Sequence, residues 1–240
     1  MNDLRLLHLC DSLFPLGGFA YSDGLEAATM VRLKPGTTGA WTGSAVVDVD
    51  GLRGWLDVCL DETIGRLEGP GVWLAWPAFR DADWGTLADL DEELTALRPS
   101  ASARRSSRAM GLRLLTTWQA LHPDARLQDA IAVARGGRLG PALCIAFAGA
   151  CACAGIERRR SVEAFAYTRL AATISAAMRL MPIGQTDAHA LLARATDRVP
   201  AVIDELIARD RAGHRPEAFS PAMDLAAMSQ QYLHSRLFRS

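Results

Sequence analysis

The chain has 240 residues, of which half are hydrophobic, and its formal net charge is −1 at pH 7. This length suits one large domain or two small ones, and the apolar content is sufficient for a sizeable core. Because the charge is close to zero, there is no strong field of one sign, and the composition argues against nucleic acid as a partner.

The first informative segment is Phe14–Glu26, which combines a proline, three glycines, aromatic residues and acids within thirteen residues. It predicts a rigid turn that enters a helix, with Ser22 as the N-cap. Gly17 and Gly18 would permit close backbone approach or unusual dihedral angles. Phe19 and Tyr21 would present apolar area with a polar tip. The residues alone leave two interpretations open, a contact surface and a packing corner.

The next segment, Pro35–Gly51, is rich in glycine and threonine and is interpreted as a loop with a small hairpin. Its candidate strand is Ala45–Val49. Helical periodicity dominates the rest of the chain, and turn residues divide it. Gly69-Pro70-Gly71 is expected to end one helix, and Pro182-Ile183-Gly184 to interrupt another. Ser100 or Ser102 is expected to cap the helix after Pro99.

About ten helices result, and no shift in composition marks a domain boundary. The sequence therefore predicts an all-α protein, a single domain over 1–240, packed as a helical array rather than a four-helix bundle. Leu139–Ile156 is an uncharged run that reaches the length of a membrane span. Its Gly, Ala and Cys content and its Pro141 favour a buried central helix, so no membrane association is expected.

Residue patterns for catalysis or metal binding are largely missing. The chain has one lysine, Lys34, and no phosphate-binding loop around it. Cys144 and Cys151 would share one helix face, but two buried thiols without a third ligand indicate core residues. We therefore expect no metal site, no cofactor and no enzymatic activity. The odd number of cysteines and the lack of a signal-peptide pattern favour a reduced, cytoplasmic setting.

Charged groups permit two interpretations. Arg104-Arg105 and Arg158-Arg159-Arg160 could bind phosphate or an acidic patch of a partner, although local helix charges explain them more simply. The final segment, 221–240, is interpreted as an amphipathic helix followed by the tail Ser235-Arg236-Leu237-Phe238-Arg239-Ser240. Because Leu237 and Phe238 are large and apolar, the tail requires burial against its own domain or against another chain.

Four segments in register give the chain a resemblance to a known family, the urease accessory proteins UreF. Phe14–Glu26 resembles the family's Pro-x-Gly-Gly-Phe-x-Tyr-Ser-x-Gly-Leu-Glu signature. Arg105–Leu115 is similar to its Ser-x-x-Met-Gly-x-x-Leu-Leu pattern, and Arg179–Thr186 to its Arg-Leu-x-Pro-Leu-Gly-Gln-Thr element. The Ser-Arg-Leu-Phe tail completes the order.

The resemblance implies a non-catalytic helical adaptor, often a homodimer, that acts as a chaperone in nickel insertion. Its implied partners are UreD (also called UreH), the GTPase UreG and apo-urease. We expect Leu237 and Phe238 to bury against UreD rather than against their own domain, and glycine at position 18 to supply a positive φ angle. The partner-binding residues that the resemblance implies are Gly17, Gly18, Phe19, Tyr21, Ser22, Glu26, Arg179, Gln185, Arg236, Leu237, Phe238 and Arg239.

The chain also departs from the family pattern. Gly137-Arg138-Leu139-Gly140-Pro141 lacks the family's histidine, and Gln230-Gln231 stands where a His-Glu pair is usual. His234 replaces a tyrosine, and the 35–51 segment is longer. Two rival hypotheses follow: a diverged UreF-like adaptor that does not serve urease, and a helical enzyme with its site near Tyr21 and Glu26.

Overall fold

Eleven α-helical segments make up most of the structure, a computed structural model that describes residues 2–30, 46 and 48–239. These residues contain no strand, so the expected all-α fold class is confirmed. The segments are α1 (Asn2–Cys10), α2 (Leu25–Met30), α3 (Val49–Val58), α4 (Gly69–Arg80), α5 (Trp84–Ala96), α6 (Ala101–Leu121), α7 (Ala125–Arg135), α8 (Leu143–Cys153), α9 (Arg158–Leu180), α10 (Gln185–Arg211) and α11 (Pro221–Ser229).

The helix break expected at Gly69-Pro70-Gly71 is wrong. A π-helical segment, Cys59–Glu68, joins α3 to α4, so the described residues form ten continuous helices. Pro70 stands in the first turn of α4, where its fixed φ angle suits a helix. The glycines serve close packing instead, because a Cβ atom on Gly69 would lie 2.9 Å from Leu206 Cδ1 and one on Gly71 would lie 3.0 Å from Cys144 Sγ.

Most of the expected 35–51 loop lies outside the described residues, but its end does not form a strand. Residues 49–51 are the first turn of α3. The Asp48 side chain accepts a hydrogen bond from the backbone N–H of Gly51 at 2.8 Å, and such an N-cap fixes the start of a helix. The alternating apolar and polar residues of Ala45–Val49 predicted a strand. At the end of this segment, the capping residue Asp48 starts a helix instead.

Helix α8 occupies the centre of the array, as the uncharged run predicted. It packs against α4, α6, α7 and α9, and all of its residues from Cys144 to Ala152 are buried. Burial raises the pKa of the Cys144 thiol to about 12 and raises the pKa of Cys151 as well, so both thiols stay protonated. No helix within the described ranges is both long and apolar enough to cross a membrane.

The remaining helices pack around this centre and share one hydrophobic core. Helix α10 packs against α9 and the π-helical segment, and α11 packs against α2 and α6. Ser100 caps α6 by accepting from Ala103 N at 3.3 Å, and α9 ends before Pro182, as expected. The core includes Leu9 near the start of the chain and Phe238 near its end. Both ends of the chain are therefore part of the folded array.

The contact between α6 and α8 generates a stability prediction. A Cβ atom on Gly111 would lie 2.0 Å from the backbone oxygen of Pro141, which cannot rotate away. We expect Gly111→Ala to lower the free energy of unfolding by roughly 1–3 kcal/mol. Gly54→Ala is the matched control, because Gly54 is helical, exposed and free of neighbours within 4 Å. It should be neutral or stabilising by about 0.4–1 kcal/mol. Urea unfolding measures both, and equal effects would contradict the assigned packing.

Candidate functional site

The fold brings together the two segments from opposite ends of the chain through the side chain of Glu26. This glutamate lies in the first turn of α2 and is 0% exposed. Its Oε1 atom accepts a hydrogen bond from Leu237 N at 2.5 Å, and its Oε2 atom accepts from Phe238 N at 3.2 Å. Gln230 Nε2 donates to the same Oε2 atom at 2.5 Å. We call these three hydrogen bonds to Glu26 the clamp.

Gln230 is held in the orientation that the clamp requires. It is also 0% exposed, and its Oε1 atom accepts from Ala27 N at 3.2 Å and from Ser22 Oγ at 3.5 Å. The Ser22 hydroxyl in turn accepts from Glu26 N at 3.4 Å. Because the Gln230 oxygen receives both donors, its amide nitrogen faces the Glu26 carboxylate, which needs donors.

The turn before α2 depends on left-handed backbone at two glycines. Gly17 has φ +76° and Gly24 has φ +90°. A Cβ atom on Gly24 would lie 2.6 Å from Ala227 N, so this glycine also lets α11 approach. The expectation for Gly18 is wrong: its φ is not positive, and a Cβ atom there would meet only Met110 Sδ at 3.9 Å. Gly17 and Gly24 are the constrained positions instead.

A buried ionic network fixes the turn to the core. Arg169 on α9 donates to Asp23 Oδ2 at 2.6 Å and to Glu68 Oε2 at 2.9 Å. Arg98 donates to the other oxygen of Glu68 at 2.5 Å. Burial opposes ionisation of Asp23, but the charge and hydrogen bond of Arg169 outweigh it and hold the pKa of Asp23 below its ordinary value. Asp23 adopts φ +49°, and the ion pair helps to retain that conformation.

The C-terminal tail packs onto its own domain, which corrects the expectation for Phe238. This side chain is 2% exposed, so its own domain already buries it without UreD. The Arg179 guanidinium lies 4.4 Å from the centre of the Phe238 ring and donates to Phe19 O at 2.7 Å. Arg239 N donates to Ala20 O at 2.8 Å. Leu237, in contrast, is 54% exposed and free to contact another protein.

A cavity of about 540 Å³ lies between α1, the turn and α9. Its wall is largely apolar and includes the side chains of Tyr21 and Phe238. Glu26 is not in the wall. Of the polar wall residues, Asp11 accepts from Leu13 N at 2.8 Å, and burial raises the pKa of Cys10 to about 11. A largely apolar cavity of this size suits apolar side chains.

The structure brings together most of the residues that the resemblance singled out. Gln185 stands apart, because it is exposed at the start of α10 and takes no part in the clamp. Sequence reasoning missed the roles of Asp23, Arg169 and Gln230. Gln230 carried a signal, since it occupies a position where the chain departs from the family pattern. Asp23 and Arg169 carried none, because their pairing joins residues distant in sequence.

Among the described residues, no group of three or more His, Cys, Asp or Glu side chains is placed so that it could hold a metal ion. His8 and His122 lie near each other, with ring centres 6.2 Å apart.

Comparison with known proteins identifies the family of the chain. The model of the UreF family matches residues 46–196. The chain is 32% identical to the urease accessory protein UreF of Methylibium petroleiphilum over 99% of this chain and 93% of the relative. It is 29% identical to UreF of Lachnoclostridium phytofermentans over 99% of this chain and 98% of the relative.

A further relative is the bifunctional urease accessory protein UreEF of Bordetella bronchiseptica. It is 31% identical to this chain over 98% of the chain, which spans 51% of that relative's length. The alignments with these relatives cover 98% or 99% of the chain.

The clamp predicts that Glu26→Gln releases the tail. An amide has one acceptor oxygen, and its NH₂ group would face the N–H donors that now bind the carboxylate. Losing hydrogen bonds to a charged group costs roughly 1.5–3 kcal/mol each, so the tail amides should exchange about tenfold faster or more. Hydrogen exchange of the peptide containing residues 233–239 measures this. Glu92→Gln, at an exposed glutamate of α5, is the control. Unchanged exchange in Glu26→Gln would show that the clamp does not hold the tail.

Proposed function

The chain belongs to the UreF family of urease accessory proteins, and from that membership we propose that it is a non-catalytic adaptor in urease maturation. In this role it binds UreD (UreH), recruits the GTPase UreG, and joins them to apo-urease so that nickel reaches the active site. The observation that supports the proposal most is the joining of both signature segments into one surface by Glu26.

One apolar surface near the tail suits the partner UreD. Helix α11 exposes Leu225 and Met228, and the turn after it exposes Tyr232, which is 82% accessible. Leu237 adds to this exposed apolar area. We call these four residues the tail surface. Because Phe238 is already buried beneath the tail, the clamp would present Leu237 at a fixed position rather than on a fraying end.

A second apolar surface lies at the mouth of the cavity. Leu7 on α1 and Phe19 in the turn are both exposed and belong to its wall, together with Tyr167 of α9. An adaptor has to hold two proteins at once, and two apolar surfaces on one rigid array meet that requirement. A second copy of this chain, as in a homodimer, would use part of the same area.

The placement of Glu26 supports an adaptor over an enzyme. A general base has to reach the proton that it removes, but Glu26 is fully buried and already accepts three hydrogen bonds. Nickel is then a cargo of the assembled complex, and the isolated chain is proposed not to hold it tightly. The proposed location is the cytoplasm, where the chain would encounter UreG and urease.

A reconstituted maturation assay tests the proposal. Apo-urease, UreD, UreG, GTP and nickel are combined with wild-type chain, with Tyr232→Ala/Leu237→Asp, or with Leu121→Asp as a control at an exposed leucine of α6. Burying such side chains contributes roughly 1.5–3 kcal/mol each, so the double variant should bind UreD about tenfold more weakly or worse. It should also leave urease with less nickel, while its melting temperature stays near that of the wild type.

The same assay separates the rival hypotheses. If urease gains nickel equally well without this chain, the protein does not serve urease maturation. Binding to UreD without any gain in urease nickel would indicate a diverged adaptor. If the double variant binds UreD as tightly as the Leu121→Asp control, the tail surface is not where UreD docks.

A further inference from the structure

Charge is unevenly distributed along the chain, although the total is close to zero. Residues 48–93 contain twelve acidic residues and three arginines, whereas residues 94–156 contain eight arginines and two aspartates. The second segment forms the end of α5, then α6, α7 and α8. One region of the molecule is therefore strongly basic while its neighbour along the chain is strongly acidic.

Five exposed arginines of this basic segment lie on α6, at the end of α7 and in the α7–α8 connection. Helix α7 follows α6 after a short connection and packs against it. The end of the α7–α8 connection returns to α6, because a Cβ atom on Gly140 would lie 2.7 Å from Arg108 Nε. We call the five residues the basic face: Arg105, Arg108, Arg113, Arg135 and Arg138.

The arginines of the basic face lack ionic partners. No described carboxylate lies within 4 Å of any of them. Asp91 interacts with Arg108 from further away, but it is buried and accepts from Gly140 N at 3.1 Å and Ala142 N at 2.8 Å. Nine other arginines are paired with carboxylates: Arg53, Arg66, Arg80, Arg159, Arg160, Arg194, Arg198, Arg209 and Arg215. Exposed Arg211, Arg236 and Arg239 also have no described carboxylate within 4 Å, but they lie outside the basic face.

We propose that the basic face docks an acidic segment of a partner protein. Guanidinium groups bind carboxylates through paired N–H donors, and a cluster without internal counter-charges leaves those donors available. Between Arg105 and Arg113 the helix extends about 12 Å, which matches about four residues of an extended peptide. The surface between these arginines is Ala109 and the half-buried Leu112, so the acidic segment would lie on small apolar side chains.

A protein segment fits this face better than nucleic acid does. The only aromatic ring among residues 101–141, apart from His122, is Trp118, which is fully buried and cannot stack on a base. On α5, exposed Glu92 stands one turn before Thr95, whose hydroxyl accepts from Arg108 at 3.4 Å. This carboxylate would repel a phosphate backbone that continued past the face, whereas a protein segment can change to uncharged residues there. The proposal does not depend on which partners the tail surface binds.

Fluorescence anisotropy with the full-length protein tests the proposal. The probe is a labelled peptide with about eight consecutive glutamates, long enough to span the face. A peptide with glutamines and a single-stranded DNA oligonucleotide of equal charge serve as comparisons. The test variant is Arg105→Gln/Arg113→Gln/Arg138→Gln. The control variant, with the same change in net charge, is Arg53→Gln/Arg80→Gln/Arg211→Gln, and melting temperatures verify folding of both.

The expected result is salt-sensitive binding of the glutamate peptide and none of the glutamine peptide. The test variant should lose about tenfold or more in affinity, and the control variant about twofold or less. Equal losses in both variants would show that net charge rather than the face attracts the peptide. No binding of the glutamate peptide, or tighter binding of the DNA, would overturn the proposal.

Discussion

The architecture of the site depends on one buried carboxylate. Transferring an ionised glutamate out of water costs several kcal/mol unless donors replace the lost water, and Glu26 receives three donors. Two of them are backbone amides of the tail and one is the Gln230 side chain. The tail and the turn therefore stabilise each other, because neither end of the chain can satisfy this group alone.

The rest of the helical array holds the two sides of this interaction in place. Glu68 in the π-helical segment orients Arg169, and Arg169 pairs with Asp23 at the start of α2. On the other side, α11 approaches the turn closely at Gly24, where any side chain would overlap Ala227. Helix α8 packs against α6 and α9, and these two helices contact α11 and α2 respectively. The exposed residues of the tail surface consequently sit on a rigid base, which is the property an adaptor needs.

Periodic and local features were predictable from the sequence, and features set by tertiary contacts were not. The helices, the Ser100 cap and the burial of α8 follow from patterns within a few residues of each other. The continuity through Pro70 was missed because a π-helical segment and neighbouring helices override the local turn signal. Both terminal segments could be predicted as a site from the sequence. The burial of Phe238 against its own domain could not, because it depends on Glu26, which is far away in sequence.

A double-mutant cycle between Glu26 and Phe238 tests most directly whether one buried carboxylate joins the two ends. Phe238→Ala should lower the free energy of unfolding of the wild-type protein by about 3 kcal/mol, because a buried ring is lost. In the Glu26→Gln background the tail is already released, so the same change should cost at least about 1 kcal/mol less. Urea unfolding of the four proteins gives this difference. Additivity within about 0.5 kcal/mol would contradict the coupling of the two ends through Glu26.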